Sequence, residues 1–262
     1  MNLRNPLLHY SIKPLLSFEI VDETDDYVVV NKPPFLLIHP TKPNHAPTLW
    51  KQLRELLAFE IASGGQVSIV NRLDRETSGL VLVAKTAMAA RDFGLLMQRR
   101  LLRKEYLAIV WGWPEWEHKL IDAPLDRQSK HQPSAIWLKQ GINAAGAPAQ
   151  TEFFVEQRFT KSTPSGDRFS VIRALPRTGR THQIRVHLAS VGHPVVGDKI
   201  YGPDEQSYLR FIETGWTREL ERKLLLPRQA LHSAKLTIEN ERQWTSALPP
   251  DLSEFCSPDS SE

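Results

Sequence analysis

The sequence predicts an α+β protein built on a mixed, largely antiparallel central sheet flanked by helices and loops. Three observations carry that class. Short runs rich in β-branched and aromatic residues outnumber the stretches with helical spacing. Several neighbouring runs are joined by hairpin-length turns, which favours antiparallel pairing. No shift in composition divides residues 18–248, so one domain is expected to span them. Residues 1–17 then form an N-terminal extension, and 249–262 an acidic tail expected to be disordered.

The elements follow in order. YVVVN (27–31) is a β-branched strand stopped by Pro33-Pro34. TLWKQLRELLAFEIAS (48–63) places Leu49, Leu53, Leu56, Leu57 and Ile61 at helical spacing, with Thr48 as N-cap and Gly64-Gly65 as the stop. GLVLVAK (79–85) is apolar up to its lysine, the pattern of a strand buried on both faces. TAMAARDFGLLMQRRL (86–101) is a helix capped by Thr86, with Phe93, Leu96 and Met97 inward. Arg99, Arg100 and Arg103 fall at or past its end, where cations suit the dipole.

KEYLAIVWG (104–112) is a strand, and 122–150 is a long excursion carrying Arg127, Lys130, His131 and Lys139. TEFFVEQRF (151–159) and RFSVIRALP (168–176) are strands joined by a hairpin. HQIRVHLASVG (182–192) is a helix with Ile184, His187, Leu188 and Val191 on one stripe and Gly192 just past its end. LHSAKLTIE (231–239) is a last alternating strand.

Composition excludes several function classes. No run approaches the ~20 apolar residues of a membrane span, and the N-terminus is broken by His9, Lys13 and two prolines, a poor signal peptide. The single cysteine, Cys256, rules out an internal disulfide and a cysteine metal cluster. A cytoplasmic protein with no membrane partner is the simple expectation. The net charge of +3 includes a tail with Asp251, Glu254, Asp259 and Glu262 and no Lys or Arg, so the body is more basic than the total suggests. Such a body suits a polyanion without requiring one.

Three stretches could carry chemistry. In NRLDRETSG (71–79), Asp74 stands between Arg72 and Arg75 in a turn feeding a buried strand. Neighbouring cations keep an aspartate ionised, which suits a nucleophile or electrostatic stabiliser; a loop salt bridge is the plain alternative. In RTGRTHQIRVHL (177–188), Arg177, Arg180, His182 and Arg185 cluster at a helix start, either an anion site or a solvated basic face. His182 and His187 are five apart, which does not align two zinc ligands, so no metal is expected. Tyr106 in KEYLAIV is a core strand tyrosine unless Asp74 lies beside it. A hydrolytic pair of Asp74 with Glu76 is weaker, because one acid would need a raised pKa that arginines oppose.

Taken together, these stretches resemble the RluA family of pseudouridine synthases. NRLDRETSG is similar to that family's H-R-L-D-x-x-T-S-G, with Asn71 where histidine is usual, and GRTHQIRVHL to its G-R-x-H-Q-[IL]-R-x-H. VVVNKPPFLLIHP, GAPAQTEFFV, GHPVVGDKIYG and RQALHSAKL resemble further blocks in the family's order, over roughly residues 18–245. The resemblance implies the pseudouridine synthase fold with a catalytic cleft, and isomerisation of specific uridines in structured RNA, ribosomal (23S-type) or transfer, by base flipping. Asp74 would be the nucleophile, at ribose C1′ or uracil C6. Arg185 would pair with it, and Tyr106 would lie on the uracil and assist proton removal from C5. Arg72 would fill the gap left by the flipped nucleotide, and Thr77, Arg180, His182 and Gln183 would contact the RNA. No metal or other cofactor is implied. Because the strand pattern begins near residue 18, the S4-like RNA-binding module of some relatives is not expected, and the excursion is expected to share in substrate choice. A monomer is expected. The competing reading is a non-catalytic RNA-binding protein on the same fold.

Overall fold

The computed structural model describes residues 16–40, 47–239 and 241–257. The first half contains β1 (Glu19–Glu23), β2 (Tyr27–Lys32), α1 (Leu49–Leu56), α2 (Ala58–Ala62), β3 (Ser68–Ile69), β4 (Ser78–Ala84), α3 (Ala87–Gln98) and β5 (Leu102–Trp111). There follow β6 (His118–Asp122), β7 (Leu125–Arg127), β8 (Gln140–Ile142), β9 (Gln150–Thr163), β10 (Gly166–Pro176) and α4 (Gln183–Ser190). The chain closes with α5 (Gln206–Thr214), α6 (Arg218–Leu224), β11 (Leu231–Ile238), β12 (Arg242–Thr245) and α7 (Pro250–Cys256).

Ten strands form one sheet in the order β1-β2-β4-β11-β5-β10-β9-β6, with β3 beside β4 and β12 beside β11. The pairing of β11 with β4 is parallel; the other described pairings are antiparallel, as expected of a mixed sheet. β4 is buried along its whole length. Its Val81 and Val83 enter the larger core with Leu49, Leu53 and Leu57, and its Leu80, Leu82 and Ala84 face Ala89 and Phe93 of α3 on the other side. A strand so covered has no polar face, which is why its sequence does not alternate.

Gly79, at φ +110°, lets β4 approach β11: a β-carbon there would stand 2.3 Å from the Ser233 carbonyl oxygen. Thr48 and Thr86 cap α1 and α3 as predicted, accepting from Lys51 N–H at 3.2 Å and Ala89 N–H at 3.1 Å.

Three expectations are corrected. The helix predicted over 48–63 breaks at Leu57 into α1 and α2, which keeps Leu57 in the core and leaves Phe59 exposed. α4 is enclosed from Gln183 to Leu188 and not striped, so it has no solvated basic face. The tail predicted as disordered from 249 begins with α7, whose Leu252 and Phe255 join the main core. The excursion carries a small sheet of β7 and β8, in which Lys130 and His131 meet Asp126, Lys139 meets Glu205, and Arg127 lies over the Trp137 ring at 4.4 Å. No helix among the described residues is long and apolar enough to cross a membrane.

Candidate active site

Asp74 lies in the turn that joins β3 to β4, where the Thr77 N–H donates to the Asp74 carbonyl at 3.2 Å. The turn is fixed from three sides. Buried Asn71 replaces a length of backbone: its Nδ2 donates to Leu80 O at 3.0 Å and its Oδ1 accepts from Leu82 N–H at 2.8 Å. Lys32 Nζ, fully buried, donates to the carbonyls of Pro33, Leu36 and Arg75 at 2.8, 3.0 and 3.2 Å. Gln229, just before β11, donates to Thr77 Oγ1 at 2.6 Å and to Asp74 Oδ2 at 3.3 Å.

The arginines flanking Asp74 in the sequence do not neutralise it. Arg75 turns its Nε to Phe35 O at 3.4 Å, and Arg72 is exposed at the cavity mouth. The partner is Arg185, from the buried helix α4, whose Nη1 donates to Asp74 Oδ2 at 2.9 Å. Arg185 is aimed by Asp198, which accepts from Nε at 2.6 Å and Nη2 at 2.8 Å while capping the Ile200 and Tyr201 N–H groups. Gly197 makes room for that turn: a β-carbon there would sit 1.9 Å from Arg228 O.

This arrangement sets the protonation states. Burial opposes ionisation of Asp74, but the cationic charge of His182 and Arg185 and the hydrogen bonds from Arg185 and Gln229 outweigh it and hold its pKa below the ordinary value. His182 is itself pushed down to about 4 by burial and by Arg185. It is therefore neutral at pH 7, and Arg185 is the cation that acts on Asp74 there. Asp198 is also held low, its burial outweighed by Arg185 and two backbone N–H groups. Tyr106, buried on β5, is held in its neutral phenol form by burial and then by the charge of Asp74. Asp74 keeps 32% of its side-chain surface exposed, so an ionised carboxylate faces an open cavity.

That cavity, of about 240 Å³, brings together all eight predicted site residues: Arg72, Asp74, Thr77, Tyr106, Arg180, His182, Gln183 and Arg185. They do not all offer free groups. Thr77 is buried against Gln229. Gln183 is saturated, accepting from Thr178 Oγ1 and Arg180 N–H and donating to Gln150 O and Thr151 Oγ1. Both hold the cavity walls through these bonds. His182 adopts a left-handed φ of 56° before α4. The Tyr201 hydroxyl accepts from Gln140 N–H at 2.8 Å and shares a hydrogen bond with His182 Nδ1 at 2.9 Å. Arg180 is exposed, with Nε on Pro148 O at 3.0 Å.

Other readings from sequence resolve as well. Glu76 diverges from Asp74, accepting from Lys199 Nζ at 2.8 Å and from Gln229 N–H at 3.3 Å, so the two acids form no hydrolytic pair. His187 is a satisfied core histidine between Thr151 Oγ1 and Ala123 O. Asp198 and Gln229 were missed. Each stands in a block that accompanies the Asp74 motif, but neither spacing nor composition shows that it turns toward Asp74 or Arg185.

The family described as RNA pseudouridylate synthase matches residues 26–190. Ribosomal large subunit pseudouridine synthase D of Nitrosomonas europaea is 34% identical over 245 residues, 90% of this chain and 64% of that protein. The dual-specificity RNA pseudouridine synthase RluA of Vibrio vulnificus is 37% identical over 184 residues, 70% of this chain and 68% of that protein. The chain thus spans about two thirds of the length of these curated relatives. Among solved structures, human RNA pseudouridylate synthase domain containing 1 superposes with a TM-score of 0.65 at 27% identity, over 90% of this chain and 86% of that one. Human RNA pseudouridylate synthase domain containing 4, at 20% identity and a TM-score of 0.67 over 90% of each chain, has the same fold.

Proposed function

The chain belongs to the RNA pseudouridylate synthase family, and from that premise we propose that it isomerises specific uridines in structured RNA to pseudouridine, with Asp74 as nucleophile. The observation that most supports this is the geometry at Asp74: an ionised carboxylate held by Arg185 at 2.9 Å, open to a cavity that Tyr106 also lines. A binding protein needs no buried arginine clamp on an exposed acid.

The reaction breaks the N1–C1′ bond, forms C5–C1′, and moves one proton from C5 to N1. Nothing is oxidised and no outside group enters, so the chemistry calls for no redox or group-carrying cofactor. The target uridine is extruded from its stack into the cavity, at a cost of a few kcal/mol. Exposed Arg72 occupies the space it leaves, and Arg180 and His182, which line the same cavity, meet the RNA. Asp74 adds to C1′ or to C6; the cavity serves either. Its negative charge is consumed in that bond. One of the two influences that keep Tyr106 protonated then disappears, so the phenol ionises more readily: its own proton passes to N1 of the detached uracil and the phenolate takes the hydrogen from C5.

We take large-subunit ribosomal RNA as the first substrate to test and transfer RNA as the second, following the activities named for the relatives. The protein is proposed to act as a monomer in the cytoplasm. The deciding measurement is tritium release from unmodified RNA labelled at uridine C5. Release by the wild-type protein and none by Asp74→Asn is the expected result. RNA binding without release from either RNA would instead favour a binding protein on this fold.

A further inference from the structure

The catalytic cavity continues into a second concavity of about 490 Å³; Met97, Lys104, Pro176, Thr178 and Gly179 line both. The second is strongly cationic, with Arg100, Arg103, Lys104 and Arg177 against one carboxylate, Glu152. Two of the four cations are already paired, Arg103 with Glu239 at 2.9 Å and Arg177 with Glu152 at 3.3 Å. Among the described residues, the side chains of Arg100 and Lys104 have no ion-pair or hydrogen-bond partner. Lys104 stands at the junction of the two spaces, two residues before Tyr106 on β5, and burial lowers its pKa.

Arg100 carries an independent signal. It follows α3 at φ +61°, where the Leu101 N–H closes the helix on Leu96 O at 2.9 Å. That left-handed position is one glycine usually fills, because a β-carbon there is strained. An arginine held in a strained position beside a groove, with no partner of its own, points to a ligand.

We propose that this groove holds the sugar–phosphate backbone of the RNA strand on one side of the target nucleotide. Lys104 meets the phosphate next to the flipped nucleotide and Arg100 the phosphate beyond it. Met97, Leu102 and Pro176 supply an apolar floor for the sugars. The paired arginines form fixed walls. This assignment rests on reading the cavity as the uridine site, and it adds what that reading leaves open: the path the strand takes away from it.

The test measures binding of single-stranded oligouridylate as a function of salt for the wild type, Arg100→Gly, Lys104→Gln and the double variant. Each phosphate contact on a single strand contributes about 0.7 to the slope of log affinity against log salt, so the double variant should lose about 1.4. Lys104→Arg keeps the charge and should keep the slope; Arg218→Gln, exposed on α6 outside the groove, is the control for simple loss of charge. Arg100→Gly should also raise the melting temperature, by about 2 °C, while weakening RNA binding. A mutation that merely damages the fold cannot produce that opposite pair. A folded double variant with the wild-type slope overturns the groove. Tritium release by the wild type is scored separately. Release with an unchanged slope removes the groove alone, and a reduced slope without any release removes the isomerase reading and leaves the groove as an RNA site.

Discussion

Asp198 grips Arg185 through both carboxylate oxygens, at 2.6 and 2.8 Å, and thereby turns the remaining guanidinium nitrogen onto Asp74. Arg185 is 5% exposed and Asp198 not at all, so the pair is a buried fork that only arginine can complete. Arg185→Ala leaves two carboxylates without their cation, Asp198 wholly buried, and should cost about 3 kcal/mol of stability. It should also raise the acid limb of the pH–rate profile, because Asp74 loses the charge that keeps its pKa down. An unchanged melting temperature would show that the fork has no structural part.

Stability should fall in acid in two stages. His182 and His232 are each lowered to about 4, so between pH 6.5 and 4 the unfolded chain binds protons the folded one refuses. Stability is full above about pH 6.5 and declines below it, by about 1.4 kcal/mol per pH unit for each such proton. Asp74 and Asp198 have depressed folded values, so their contribution holds above about pH 3.8 and disappears below it. Urea midpoints between pH 7 and 5 test the first stage; a flat profile would mean the histidines ionise in place.

Tyr106→Phe removes a hydroxyl and keeps the ring in the cavity wall. Proton transfer by a positioned side chain is worth about 10²–10⁴-fold. The variant should bind RNA within a few-fold of the wild type and lose turnover by at least about 10²-fold, read by single-turnover tritium release. Turnover near wild type would assign Tyr106 to packing alone.

Arg228, fully buried, donates to both oxygens of Asp251 at 2.6 and 2.9 Å and to the Glu76 carbonyl at 3.3 Å. The helix α7 thus supports the Asp74 turn from behind. Asp251→Ala should cost about 3 kcal/mol by stranding the charge of Arg228 and should lower kcat more than it raises KM. The apolar exchange Arg228→Met with Asp251→Leu should recover stability without recovering kcat. Full recovery of both would make the contact purely structural.

Much of this was legible in the sequence, and the reasons are physical. β4 showed itself because a strand covered on both faces cannot alternate, and the caps of α1 and α3 because Thr48 and Thr86 act within three residues. The motif around Asp74 and the later HQIR block marked the site, although Arg72 and Arg75 suggested a local neutralisation that Arg185, 111 residues away, in fact supplies. What stayed hidden depends on long-range contact. Nothing near Asp198 or Gln229 announces which side chain each will meet. The docking of α7 was masked by a composition that reads as a solvated tail, since only Leu252 and Phe255 of its short face carry the packing.

The position of β11 also sets the order in which the protein can be completed during synthesis. β11 is the central strand that joins β4 to β5, yet Ser78 and its cross-strand neighbour His232 are 154 residues apart. At ordinary translation rates the ribosome needs on the order of ten seconds to make the intervening chain. Through that interval β4 and β5 present open edges, and the Asp74 turn lacks Gln229, Arg228 and Asp251. The nascent chain therefore carries the proposed nucleophile early without the contacts that fix it, and these arrive in one late step, when the strand that closes the sheet also delivers the residues that brace the Asp74 turn.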